Sequence, residues 1–150
     1  MPTHYAGGEG ETRALSAYIN LVRASESVVA RTHARLASSG LTVTQFGVLE
    51  ALLHLGPMCQ NELAAKLLKS GGNITFVLDN LEKHGLAERR RGGEDRRKAV
   101  VHLTAKGRAL IARLFKAHAK AVAAEFAVLS KGEQDELRRL CRCLGCGRRA

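Results

Sequence analysis

The sequence contains no apolar run approaching the roughly 18 residues that a bilayer-spanning helix needs. Its first residues, MPTHYAGGEGETR, lack the basic-then-apolar order of a secretory signal. A cytoplasmic chain with no membrane partner is the expectation. It has only four cysteines, Cys59, Cys141, Cys143 and Cys146; in a reducing compartment these rest as thiols, which argues against a structural disulfide framework. Internal repeats and low-complexity segments are missing. No Ser/His/Asp set, paired carboxylates or phosphate-binding loop stands out, so nothing points to an enzyme or to a bound cofactor. Acid is scarce relative to base: 14 Asp and Glu stand against 24 Lys and Arg, a formal net charge of +10 over 150 residues. That length suits one domain with its own core, or a small domain with a helical appendage.

What is present is a concentrated basic patch. Residues 83–108 hold nine Lys/Arg against three acids, more than half of the chain's positive excess. A patch of this kind suits a polyanionic partner and long-range electrostatic steering. At its centre Arg89, Arg90, Arg91, Arg96, Arg97 and Lys98 surround Gly92-Gly93.

Residues 13–38 hold neither proline nor glycine, and Leu15, Ile19, Val22, Val29 and Leu36 fall on one helical stripe, ended by Ser38, Ser39 and Gly40. The next helix opens with Thr42 and Gln45 in capping-box spacing and closes at Gly56-Pro57. CQNELAAKLLKS predicts a short helix. SGGNITFVLDNLEKHG predicts another, with Ser70 as N-cap, Ile74, Val77, Leu78 and Leu81 turned inward, and Gly85 as the stop. Two short helices joined by a tight polar turn make a helix-turn-helix. Segments 86–91 and 98–103 then read as a two-stranded hairpin with the arginines at its tip. Thr104 caps a helix that can run to about Leu129, and Ser130 with Glu133 caps a last one ending near Gly145. The first and last helices carry more apolar stripe than the middle of the chain can cover, so a second copy in a two-fold dimer is the expected partner.

Segment 41–111 resembles the winged helix-turn-helix core of the MarR family of bacterial transcriptional regulators, through LDNLEKHGL passing into a strand, EDRR at the wing, and VHLTAKGRALI returning to a long helix. The flanking helices match that family's dimerisation region. The resemblance implies a mainly α fold with a small β-hairpin wing: a DNA-binding module at 41–104, dimerisation helices at 12–40 and 105–147 in one intertwined unit, and a frayed 1–11. It implies a homodimeric transcriptional regulator, a repressor of a pseudo-palindromic double-stranded operator. Ser70, Gly71 and Gly72 would bring backbone N–H groups to a phosphate, while Asn73, Thr75 and Phe76 face the major groove. Asp95 would orient Arg97 into the minor groove, and Arg89, Arg90, Arg91, Arg96 and Lys98 would neutralise phosphates. Phe76 stands where an arginine is common in the family; it can contact a thymine methyl or pack inward.

The trigger has several readings. Glu26, His33 and His118 fall on apolar stripes, where such residues are more often satisfied interface groups than ligands; because relatives bind small phenolic or aromatic compounds in a crevice between the dimerisation helices and the winged module, the resemblance makes them candidate pocket walls. Cys141, Cys143 and Cys146 sit among arginines that favour thiolate, the setting of a redox or electrophile sensor. Zinc, and with it a metal-responsive regulator, is the alternative, although residues two apart diverge on a helix and a closed site needs a fourth ligand, so no metal site is assigned. Thiols without function in a C-terminal turn are the third reading. Cys59 at a helix start is either a thiol with depressed pKa or a small buried apolar residue. A thiol oxidoreductase built on Cys143 and Cys146 would need the pair to open a helix, and here it closes one.

Overall fold

A computed structural model of the chain describes residues 4–34, 36–91 and 99–147. In order these form α1 (Glu9–Ala34), a 3-10 turn (Ala37–Ser39), α2 (Val43–Leu55), β1 (Met58–Cys59), α3 (Gln60–Lys66), α4 (Gly71–Lys83), β2 (Ala87–Arg91), β3 (Ala99–Leu103), α5 (Ala105–Phe126) and α6 (Lys131–Cys146). The chain is mainly helical, with a small winged sheet, as the sequence led one to expect. Two boundaries differ. α1 begins at Glu9 and gives way at Ala34, before the Ser-Ser-Gly stop, because the chain tightens into the 3-10 turn first. The hairpin gains a third strand, β1, in the order β1-β3-β2 with both pairings antiparallel. Two residues are too few to show an alternating pattern, so β1 leaves no signal in the sequence.

Packing divides the chain into two compact units, 36–118 and the paired segments 1–35 and 119–150. The first has a continuous apolar core. Leu49 and Leu52 of α2, Leu63 of α3, Ile74, Leu78 and Leu81 of α4, and Val101 of β3 are all essentially inaccessible to water. Each such side chain contributes roughly 1.5–3 kcal/mol relative to exposure. The capping box foreseen at α2 is formed: the Thr42 hydroxyl accepts the Gln45 N–H at 3.2 Å, and the Gln45 side chain accepts the Thr42 N–H at 2.9 Å.

The wing is locked to the start of α5 within this unit. Thr104 donates its hydroxyl to the Gly85 carbonyl at 2.7 Å and accepts the Gly107 N–H at 3.0 Å, while its own N–H reaches the Leu86 carbonyl at 3.2 Å. Gly107 makes this closeness feasible, since a Cβ there would stand 1.9 Å from the Leu86 carbonyl oxygen.

The second unit contains α1, the end of α5, and α6. Arg31 of α1 donates to the Glu125 carboxylate at 2.6 Å. Thr32 is buried, its hydroxyl donating to the Val28 carbonyl at 2.9 Å. Otherwise the unit buries little: α6 has no buried residue, and Leu21, Val29, Val128 and Leu137 remain exposed. An apolar hollow of about 420 Å³ lies between these helices, bordered by Leu21, Val28, Phe126, Leu129, Leu137 and Cys141 among others.

Candidate nucleic-acid interface

α4 is amphipathic because its apolar residues recur at three- and four-residue spacing. Ile74, Val77, Leu78 and Leu81 are buried, so the other side must face out. Gly71, Gly72, Asn73, Thr75, Phe76 and Asp79 are exposed. Ser70 caps the helix as expected, its hydroxyl accepting the Asn73 N–H at 3.3 Å. At Gly71 and Gly72 an added Cβ would meet open space, so no internal packing demands glycine there.

The turn into α4 is built on a left-handed residue. α3 ends with the Leu68 N–H on the Ala65 carbonyl at 3.3 Å and the Lys69 N–H on the Ala64 carbonyl at 3.0 Å, with Leu68 at φ 52°. That is a Schellman ending with leucine where glycine is usual. α4 ends in the same motif through Leu86 to Leu81 at 2.9 Å and Gly85 to Glu82 at 2.8 Å, this time with glycine at φ 66°.

Polar contacts from three neighbouring elements, α2, α3 and β2, fix the outward face. Gln60 of α3 donates to the Thr75 hydroxyl at 2.6 Å, and that hydroxyl donates to the Gly71 carbonyl at 3.0 Å. Gln45 of α2 donates to the Asn80 side chain at 2.8 Å. Arg89 of β2 reaches back to α4: its guanidinium donates to Asp79 at 2.6 Å, to Glu82 at 2.5 Å and to the Thr75 carbonyl at 3.3 Å, while its backbone N–H donates to Glu82 at 2.6 Å. Arg89 is therefore engaged by carboxylates, with only 22% of its side chain exposed. The expectation of a free phosphate contact overlooked this engagement, because the pairing depends on how β2 lies beside α4. Gln60, Asp79 and Glu82, and the second contact of Gln45 with Asn80, went unnoticed in the sequence for the same reason.

Arg90 points outward and pairs with Glu88 of its own strand. Arg91 closes β2 opposite Ala99. Asp95, Arg96, Arg97 and Lys98 lie outside the described residues. Phe76, left open between inward and outward, is outward: 73% of it is exposed.

The effector candidates are dispersed along the chain. Glu26 is exposed on α1, and His33 is half-buried near its end. His118 of α5 is half-buried, its ring 4.7 Å from Phe46 and 6.4 Å from Phe115, whose other neighbour is His54 at 4.4 Å. All four cysteines are free thiols, with Cys141 and Cys146 exposed and Cys59 and Cys143 half-buried. Cys59 ends β1 and precedes α3, its N–H donating to Glu62 at 2.7 Å; full burial is not what it has. Arg139 lies 4.0 Å from the Cys143 sulfur, and Glu136 beside it holds the guanidinium further above its ordinary range. The Arg139 hydrogen bond in turn keeps Glu136 below the usual carboxylate range, and the Ser130 cap does the same for Glu133. Among the described residues no three His, Cys, Asp or Glu side chains converge as a metal-binding group.

Residues 39–98 match the model of the MarR family. Over 125 residues the chain is 35% identical to the HTH-type transcriptional regulator YkoM of Bacillus subtilis (strain 168), covering 83% of this chain and 81% of that protein. The chain belongs to the MarR family. Like other MarR proteins it is a DNA-binding transcriptional regulator, in a family of regulators and not of enzymes. Among solved structures it is similar to the transcriptional repressor CouR bound to a 23-mer DNA duplex, at 33% identity and TM-score 0.78 over 94% of this chain and 99% of that one. It is also similar to Bordetella bronchiseptica BpsR, whose DNA binding is regulated by 6-hydroxynicotinic acid, at 26% identity and TM-score 0.78 over 97% of this chain and 98% of that one. In this MarR chain, α3 and α4 make the helix-turn-helix and β2 and β3 the wing. Among the described residues no helix is long and apolar enough to cross a membrane.

Proposed function

We propose that the chain is a cytoplasmic homodimeric repressor that places α4 of each copy in successive major grooves of a pseudo-palindromic operator. The observation that carries this reading is the outward face of α4. Gly71, Gly72, Asn73, Thr75 and Phe76 are exposed on a helix whose other side is sealed in the core. The segment 41–104 then serves as the DNA-binding module, with 12–40 and 105–147 as dimerisation helices. Exposed Leu21, Val29, Val128 and Leu137, and the apolar hollow beside them, favour a second copy as their cover. The wing supplies phosphate contacts through Arg90, Arg91, Arg96 and Lys98, and Arg97, oriented by Asp95, enters the minor groove. Arg89 we assign instead to holding the wing against α4.

Release follows from differential binding of an effector to two dimer conformations. The similarity to BpsR supports a small aromatic acid as that effector, with Glu26, His33 and His118 as residues to test. A thiol trigger is favoured by one observation, the Arg139 guanidinium at 4.0 Å from Cys143; modification at Cys141, Cys143 or Cys146 would then alter the dimerisation helices. A footprint on the gene's own upstream region, with and without aromatic acids or a peroxide, tests the whole reading. Protection lost only with aromatic acids selects the first trigger, and loss only with peroxide the second. A chain that protects no site contradicts both.

A further inference from the structure

We propose that Phe76 is a sequence-reading residue that recognises the 5-methyl group of thymine in the major groove, with Asn73 beside it taking adenine. This rests on α4 being the DNA-facing helix and says which bases that helix reads.

A single exposed apolar side chain on an arbitrary surface needs no explanation. Phe76 differs because its polar neighbours are already engaged. Thr75 donates its hydroxyl to the Gly71 carbonyl and accepts from Gln60. Asp79 is neutralised by Arg89, which is itself held by Glu82. Among the described residues, α4 itself carries no arginine to take guanine O6 and N7, and its two carboxylates, Asp79 and Glu82, are both held by Arg89 and so are not open to the cytosine amino group. What remains is the Asn73 amide, which nothing among the described residues engages, and the Phe76 ring at 73% exposure. Residues three apart share a helix face, so the two are presented together. Asparagine matches adenine N6 and N7 in a bidentate pair, and thymine methyl is the apolar feature that base edges offer in that groove. Gly71 and Gly72, facing open space, let the start of the helix come close to the backbone phosphate that would set this register.

The test needs no known operator. A preferred duplex is selected from a randomised pool with the full chain, and each thymine is then replaced in turn by deoxyuridine, which removes only the methyl group. Affinities are read at low salt, where phosphate contacts keep both wild type and Phe76→Ala on the duplex. One thymine per half-site should be sensitive, weakening wild type by about fourfold, the factor that corresponds to burying one methyl group. Phe76→Ala should be indifferent to the same replacement while unfolding at the wild-type denaturant concentration. Wild type insensitive at every thymine, or Phe76→Ala as sensitive as wild type, overturns the proposal and leaves the DNA-facing helix standing. A pool that yields no preferred sequence overturns both.

Discussion

At the scale of single residues, two neighbouring arginines in β2 have different partners and therefore different expected roles. Arg89 bridges Asp79 and Glu82 with most of its side chain out of water, whereas Arg90 is 63% exposed beside Glu88. Arg89→Ala should lower the free energy of unfolding by about 1–2 kcal/mol in urea titration, since a partly buried charged hydrogen bond is lost and two carboxylates are left facing each other. Arg90→Ala should stay within about 0.5 kcal/mol of wild type. On DNA the order reverses: Arg90→Ala should reduce the slope of log K against log salt by about 1, and Arg89→Ala should leave it unchanged. Equal slopes for the two variants would contradict this division of labour. Gly107 offers a test of sign. Alanine is the better helix former by roughly 1 kcal/mol, yet its Cβ would meet the Leu86 carbonyl oxygen at 1.9 Å. Gly107→Ala should therefore destabilise by about 2–3 kcal/mol through overpacking against backbone.

At the scale of elements, α3 and α4 end in the same hydrogen-bonded motif, but the left-handed position is Leu68 in one and Gly85 in the other. A left-handed non-glycine residue costs on the order of 1–2 kcal/mol. Leu68 is 90% exposed and loses no packing when removed, so Leu68→Gly should raise stability by about 1 kcal/mol in chemical denaturation, and Gly85→Ala should lower it by a similar amount. Nothing in the structure explains why leucine stands at 68. Most elements were legible in the sequence because their signals are local. Thr42 with Gln45, Ser70 with its four inward apolar residues, Gly85, and Ser130 with Glu133 mark helix ends within a few residues, and the hairpin is marked by Gly92-Gly93 between its two segments. What escaped is non-local. The strand Met58–Cys59 exists only by pairing with Val100 and Val101, and the Arg89 network exists only because β2 runs beside α4. Phe76 was ambiguous by residue type, although its place two residues after buried Ile74, about 200° around the helix, turns it outward.

At the scale of the whole molecule, the charge and the uncovered apolar surface have separate consequences. A net charge of +10, concentrated around the wing, should speed association with duplex DNA and make it steeply salt-dependent even for random sequences. The exposed leucines and valines of α1, the α5–α6 turn and α6 should instead drive self-association, and Leu137→Glu should shift sedimentation from dimer toward single chains. If dimerisation is what pairs the two recognition helices, that variant should also lose preference for a specific site over competitor while keeping salt-dependent binding to any duplex. The most direct check on the central claim is a hydroxyl-radical footprint of the full chain on a duplex selected from a random pool. The account predicts two symmetric protected half-sites about 10 base pairs apart, centre to centre, as one helical turn of B-DNA requires. A single protected patch without symmetry, or uniform protection along the duplex, would contradict it.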